Sequence, residues 1–209
     1  MEDSYQTLKR RWGDAEFLRR AAILREHLAY ERIRFGKIDE EKRYVISLLP
    51  QAHESYYMGH WEASIAMCGS LLEAFLTKLI ADRMCDKSLR QATLEDMQRR
   101  GLQRIESIQN LALNDLIKLV SRERSLNQHE LSLLHNVKEL RNRTLHGRIP
   151  LFEYQAPVYV CSLSYGPNSS REIEIPESEV VDIDEPPEQI TAWYCLKYSR
   201  YILHRFLDP

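Results

Sequence analysis

The chain has 209 residues and a mass of 24.7 kDa, enough for one sizeable core or a core with an appendage, and too little for two ordinary domains joined by a linker. Hydrophobic residues at 44% and charged residues at 29%, with only 7 Gly and 8 Pro, are the profile of a folded globular chain and exclude a low-complexity or Gly-rich protein. With 29 Lys+Arg against 31 Asp+Glu, the formal charge of −2 excludes a globally basic nucleic-acid binder but not a local basic patch.

From Ser4 to Arg34 apolar residues recur at helical spacing, with Leu8, Trp12, Ala15 and Leu18 in one row and Phe17, Ala21, Leu24 and Leu28 in another. Residues 1–40 therefore read as an N-terminal helical extension, stopped near Phe35-Gly36-Lys37. A second helix is expected from about Glu40 to Met58, with Pro50 in or near it. Gly59 supplies a turn, and the strongest helix follows, with Trp61, Ile65, Cys68, Leu72, Phe75 and Leu79 in steps of four and three, a stripe that Leu71, Leu76 and Ile80 widen to a core-facing surface. The short connection makes these two an antiparallel pair.

Thr93–Gly101 reads as a short polar helix and Ser107–Arg122 as one longer helix. Asn127 is placed to cap the next helix, with Glu130 as its capping-box partner. That helix carries Leu133, Val137 and Leu140 and should end near Gly147, because Ile149-Pro150 follows. The period then changes. Phe152–Tyr154, Val158–Leu163 and Ile173–Ile175 are β-rich, and Gly166-Pro167-Asn168 separates the last two as a turn. A β-hairpin or three-stranded insertion is expected at about 151–183, and Pro186-Pro187 opens a last helix with Trp193, Leu196, Leu203 and Phe206 facing inward. The fold class is mainly α, a helical bundle over 41–209 with a β excursion before its last helix.

The four cysteines, Cys68, Cys85, Cys161 and Cys195, form no CxxC or CxH pair, so neither a structural zinc site nor a disulfide framework is expected. No His/Asp/Glu/Cys grouping has ligand spacing, and no Walker motif or Gly-rich phosphate loop is present, so no metal and no cofactor is expected. The N-terminus lacks the basic-then-apolar order of a signal peptide, and Glu73 and Lys78 interrupt the most apolar stretch. The expectation is a cytoplasmic protein with no membrane partner. Charge is uneven: residues 83–148 hold 13 basic and 8 acidic side chains, and 171–188 hold 1 basic and 8 acidic. Each is a solvated face or a partner surface, and the acidic stretch could also cover the basic face.

The chemistry gathers in Glu139-Leu140-Arg141-Asn142-Arg143-Thr144-Leu145-His146-Gly147, where four residues separate Arg141 from His146. The spacing alone says little. The product of 21 arginines and 7 histidines over 209 positions predicts about 0.7 such pairs by chance, and Arg124 to His129 is another. Only Arg141–His146 has an Asn after the Arg, an amphipathic helix before it and a Gly stop after it.

With these features the sequence resembles the HEPN superfamily, helical bundles with an Arg-x4–6-His motif. Tyr57-Met58-Gly59-His60-Trp61-Glu62-Ala63-Ser64-Ile65 followed by Leu71-Leu72-Glu73 resembles the first helical hairpin of such bundles. The likeness covers roughly 45–148 and resumes in the last helix; residues 1–40 and the β segment have no counterpart. It implies metal-independent RNA cleavage, of the toxin or anti-phage type, at a site composed across a homodimer. It also allows a non-catalytic RNA-binding or protein-interaction module of a larger defence or regulatory complex. A remoter reading is a nucleotide-binding partner to a nucleotidyltransferase. RNA (tRNA or mRNA) and a cognate regulatory or antitoxin protein are the implied partners.

The residue types suit the reaction. An imidazole can move a proton to or from a ribose hydroxyl or a leaving oxygen, and a guanidinium matches phosphate oxygens with a planar fork. One motif offers one His, and a twofold dimer would offer two. Arg141, His146 and Asn142 are thus the catalytic set. Lys138, Arg143 and Arg148 are RNA contacts, and Glu73 is a support that either pairs with Arg141 or points to solvent. Arg143 and Arg148 could equally be partners of the helix dipole. Asn142 orients His146 or the phosphate, or is simply exposed. Tyr56, Tyr57, His60 and Trp61 either stack on a base or staple the hairpin. On an ideal helix positions 141 and 146 lie about 140° apart, so the helix must end or distort between Arg143 and Gly147.

Overall fold

A computed structural model describes Gly13 and residues 40–102, 104–148, 150, 152–164, 170–177 and 187–207. The expected N-terminal extension, apart from Gly13 and Glu40, lies outside the described residues, as do the 166–168 turn and the acidic residues 178–186. Among the described residues there are seven helices and a small antiparallel sheet placed before the last helix.

Helix α1, Glu40–Tyr57, carries Pro50 at an exposed position inside it. The chain reverses at Gly59, whose φ of +75° is costly for any side chain with a Cβ. Helix α2, Trp61–Cys85, then runs back along α1. It is the axis of the bundle, in contact with α1 and with four later helices. Ile65, Cys68, Leu71, Leu72, Leu76 and Ile80 are buried on one wide face, about half of its circumference, as the widened stripe predicts. By length and apolarity α2 would suffice to cross a membrane, at a mean hydropathy of 1.5, but half of its apolar window is buried by the bundle. Trp61, at the helix start, only half-buries its ring against the core.

Helix α3, Gln91–Arg99, stops at Gly101 (φ +69°), where the Leu102 amide donates to the Met97 carbonyl at 2.8 Å. The single helix expected over 107–122 is two: α4, Ile105–Gln109, and α5, Leu113–Glu123. The Asn110 side-chain amide donates to the Glu106 carbonyl at 2.9 Å and ends α4. Ala112 is extended, and its carbonyl accepts from Asp115 and Leu116 to start α5. Helix α6, Gln128–Leu145, begins at the expected capping box: Asn127 Oδ1 accepts from the Glu130 amide at 2.9 Å, and Glu130 Oε2 accepts from the Asn127 amide at 2.7 Å.

Strands β1, Glu153–Gln155, β2, Val158–Ser164, and β3, Ser170–Pro176, form an antiparallel sheet in the order β1-β2-β3. Tyr159 pairs with Ile175 and Cys161 with Ile173; all four join the core, while Glu172 and Glu174 on the alternate positions face solvent. Helix α7, Pro187–Leu207, closes the bundle on α1, α2 and α6. Trp193, Leu196 and Leu203 are buried as expected, whereas the Phe206 side chain lies outside the described residues. The buried Asn136 amide donates to the Tyr194 hydroxyl at 2.7 Å and fixes α6 against α7.

Candidate active site

The last two turns of α6 carry the motif, and their geometry follows from how the helix stops. His146 is the C-cap, with φ −95° and ψ 15°. Gly147 follows at φ +68°; its amide donates to the Thr144 carbonyl at 3.0 Å, and the Arg148 amide donates to Arg143 at 2.8 Å. This is the Schellman pattern, which needs a left-handed residue where Gly147 stands. The helix therefore ends at Leu145, between Arg143 and Gly147, and the His146 amide still donates to the Asn142 carbonyl at 3.1 Å. The His146 side chain is exposed, as are Leu145 and Arg148.

Arg141 is held differently. Its side chain lies across Gly69 of α2: a Cβ on that glycine would stand 2.9 Å from Arg141 Nε and 3.1 Å from its Cγ. Only a residue without a side chain leaves room for the arginine stem there. One turn along α2, Glu73 Oε1 lies 3.6 Å from Arg141 Nη1, and Asn142 Oδ1 accepts from the same nitrogen at 3.5 Å. The Glu73–Arg141 pair is 30% and 24% exposed, so it contributes about 0–1 kcal/mol and acts mainly to orient the guanidinium. Arg141 Nε is buried against Gly69 without a hydrogen-bond partner. Among the described residues the polar partners of the guanidinium are Glu73 and Asn142, both on Nη1.

The remaining predicted side chains separate into two directions and one free group. Lys138 Nζ donates to Asn114 Oδ1 of α5 at 3.2 Å. Arg143 Nε donates to Glu139 Oε1 at 3.2 Å along its own helix and approaches the sheet near Cys161. Burial pushes the Cys161 thiol up to about 11, with Arg143 pulling the other way. Arg148 is exposed beyond the helix end. In the α1–α2 turn, Tyr56 is buried with its ring 6.3 Å from Trp193 of α7, a packing contact, and His60 is exposed.

Gly69 is the position at the candidate site that the sequence reading leaves out. Its signal was present: an isolated glycine inside a strong apolar helix marks a close approach. Among the described residues no three His, Cys, Asp or Glu side chains gather where one metal ion could bind. No family model, curated protein or solved structure matches the chain.

Proposed function

We propose that the chain is a HEPN-type, metal-independent endoribonuclease, a cytoplasmic toxin or anti-phage effector whose active site is composed across a homodimer. The observation that supports it best is the seating of Arg141: a guanidinium lodged against Gly69 and paired with Glu73, on the same helix whose end carries an exposed His146. A surface arginine serving only the helix dipole needs no such seat.

In the proposed reaction the ribose 2′-oxygen attacks phosphorus, its proton passing to one imidazole, while the P–O5′ bond breaks and the 5′-oxygen takes a proton from a second. His146 is one of these groups and the partner subunit's His146 the other. Arg141 stabilises the charge that grows on the phosphorane oxygens. Asn142 braces Nη1, and Lys138, Arg143 and Arg148 contact phosphates. Arg143 must exchange its Glu139 contact to do so.

The competing reading is a non-catalytic RNA-binding or protein-interaction module within a larger complex. It is favoured by Glu73, which already gives Arg141 a carboxylate partner. Labelled total RNA incubated in EDTA with wild type and with His146→Ala separates the two. Cleavage by wild type alone supports the enzyme; no cleavage by either favours the module. Sedimentation equilibrium should give twice the chain mass of 24.7 kDa.

A further inference from the structure

Helices α3 and α5 carry a charge network that has no part in the bundle's core. Asp96 of α3 is nearly buried, its side chain 7% exposed, and three arginines converge on it. Arg99 Nη2 lies 3.5 Å and Arg100 Nε 3.1 Å from its carboxylate, and Arg122 of α5 reaches it through Nη1. Arg100 also meets Asp115 at 3.3 Å, and Lys118 meets Asp115 at 3.1 Å. Hydrogen bonding from Lys118 holds the Asp115 carboxyl below the ordinary carboxylate range. Four cations thus share two carboxylates.

That ratio is not what stability requires. One guanidinium neutralises one buried carboxylate; further ones add like-charge repulsion. By contrast Arg83 pairs with the buried Glu123, and Arg141 with Glu73, one cation to one carboxylate. The dipoles at the ends of α3 and α5 account for Arg99, Arg100 and Arg122 but not for Lys118. The surplus charge is turned outward, with Arg99 71% and Lys118 51% exposed.

The network also leads to the motif. Asn114, which receives Lys138, is one turn of α5 before Lys118, and Arg122 is one turn after it. Lys138 is in turn one turn of α6 before Arg141 and Asn142. On α5 Arg122 and Lys118 are thus about one helical turn apart, roughly 5.4 Å, and the neutral Asn114, one turn further back, receives Lys138 of α6.

We propose that Arg99, Arg100, Lys118 and Arg122 form a docking surface for the phosphate backbone of RNA, leading the strand past Lys138 to Arg141 and His146. The choice of RNA rests on the ribonuclease reading; the surplus of charge and its continuity with α6 do not. Asp96 and Asp115 act as anchors that hold the guanidinium forks and the ammonium in place before the ligand arrives.

The test is binding, read on the full chain carrying His146→Ala so that cleavage does not intervene. Fluorescence anisotropy with a single-stranded RNA is measured across a salt series, with and without Arg99→Gln/Lys118→Gln. Both side chains are exposed, so the fold tolerates the pair. Binding at about 50 mM salt should weaken about tenfold, and the slope of log K against log salt should shrink by about 1.4, or 0.7 for each lost phosphate contact. Arg99→Lys/Lys118→Arg should keep the affinity within about twofold. Unchanged affinity and slope in the neutralised protein would overturn the docking surface, whether or not wild type cleaves RNA. Preference for polyglutamate over RNA would reassign the surface to an acidic protein and overturn the proposal. Loss of binding together with an inactive wild type would uphold the surface while removing the ribonuclease reading.

Discussion

An Arg-x4-His spacing stands at each end of helix α6, and the two differ in what holds the arginine. At the N-terminal end Arg124 is the C-cap of α5, in the left-handed region at φ +52°, and it is exposed. His129 belongs to the next helix, exposed, with its ring edge-on to Tyr201 at 6.1 Å. A capping box stands between them, so the two side chains belong to separate elements. At the C-terminal end Arg141 is seated on α2 and His146 is the cap of the same helix. Spacing is a property of the chain, whereas a site needs a neighbouring element to hold one of its members. Here that element is α2, through Gly69 and Glu73.

The largest expected effect breaks the comparison directly. Arg141→Ala and His146→Ala should each lower RNA cleavage about 10²-fold or more, the usual contribution of a positioned acid, base or oxyanion stabiliser. Arg124→Ala and His129→Ala should leave the rate within about twofold. Arg141→Lys should recover little, because an ammonium has the charge without the fork. Equal activity in all four alanine variants would make both pairs structural.

Gly69→Ala sharpens the comparison at the seat itself. In an ordinary helix this change stabilises by roughly 0.5–1 kcal/mol. Here the new Cβ would meet Arg141 Nε at 2.9 Å and displace the stem. Cleavage should fall about tenfold, with no gain in the urea midpoint. A protein both stabilised and fully active would show that the seat does not govern Arg141.

Arg124→Gly probes the other end. A left-handed non-glycine residue costs roughly 1–2 kcal/mol, so glycine should raise unfolding free energy by about 1 kcal/mol without altering cleavage. No gain in stability would mean that Arg124 has a compensating contact, and the contrast between the two ends would weaken.

The smallest effect is chemical and reads the packing of α2. Burial pushes the Cys68 thiol, beside Gly69, up to about 12, and also raises Cys195. Cys85, at the end of α2, is exposed. Iodoacetamide at about pH 8 should therefore label Cys85 and spare Cys68, Cys161 and Cys195 until the protein unfolds, as peptide mass spectrometry would report. Labelling of Cys68 in the native protein would place a gap where the Arg141 seat is packed.

What could be read in the chain was local. The Asn127–Glu130 capping box, the Gly59 turn and the Gly147 stop depend on residues within a few positions of one another. The alternation in β2 and β3 was legible for the same reason. The break at 110–112 was not, because helix formers stand on both sides and the decision lies with the Asn110 side chain. Of the site, Arg141, Asn142 and His146 stood out by pattern, and a Glu73–Arg141 pair was one of two readings. That Gly69 carries the arginine stem could not be read, since it depends on how α2 crosses α6. The basic surplus of 83–148 was plain in the composition, but not its convergence on Asp96, which joins α3 to α5.

The central claim is that the Arg141–His146 end of α6 cleaves RNA by attack of the neighbouring 2′-hydroxyl. The most direct measurement is the chemistry of the new 3′ ends made by wild type in EDTA. The account predicts 2′,3′-cyclic phosphate ends, absent from the His146→Ala reaction. Ends bearing a free 3′-hydroxyl, or cleavage that vanishes in EDTA and returns with Mg²⁺ or Mn²⁺, would contradict it.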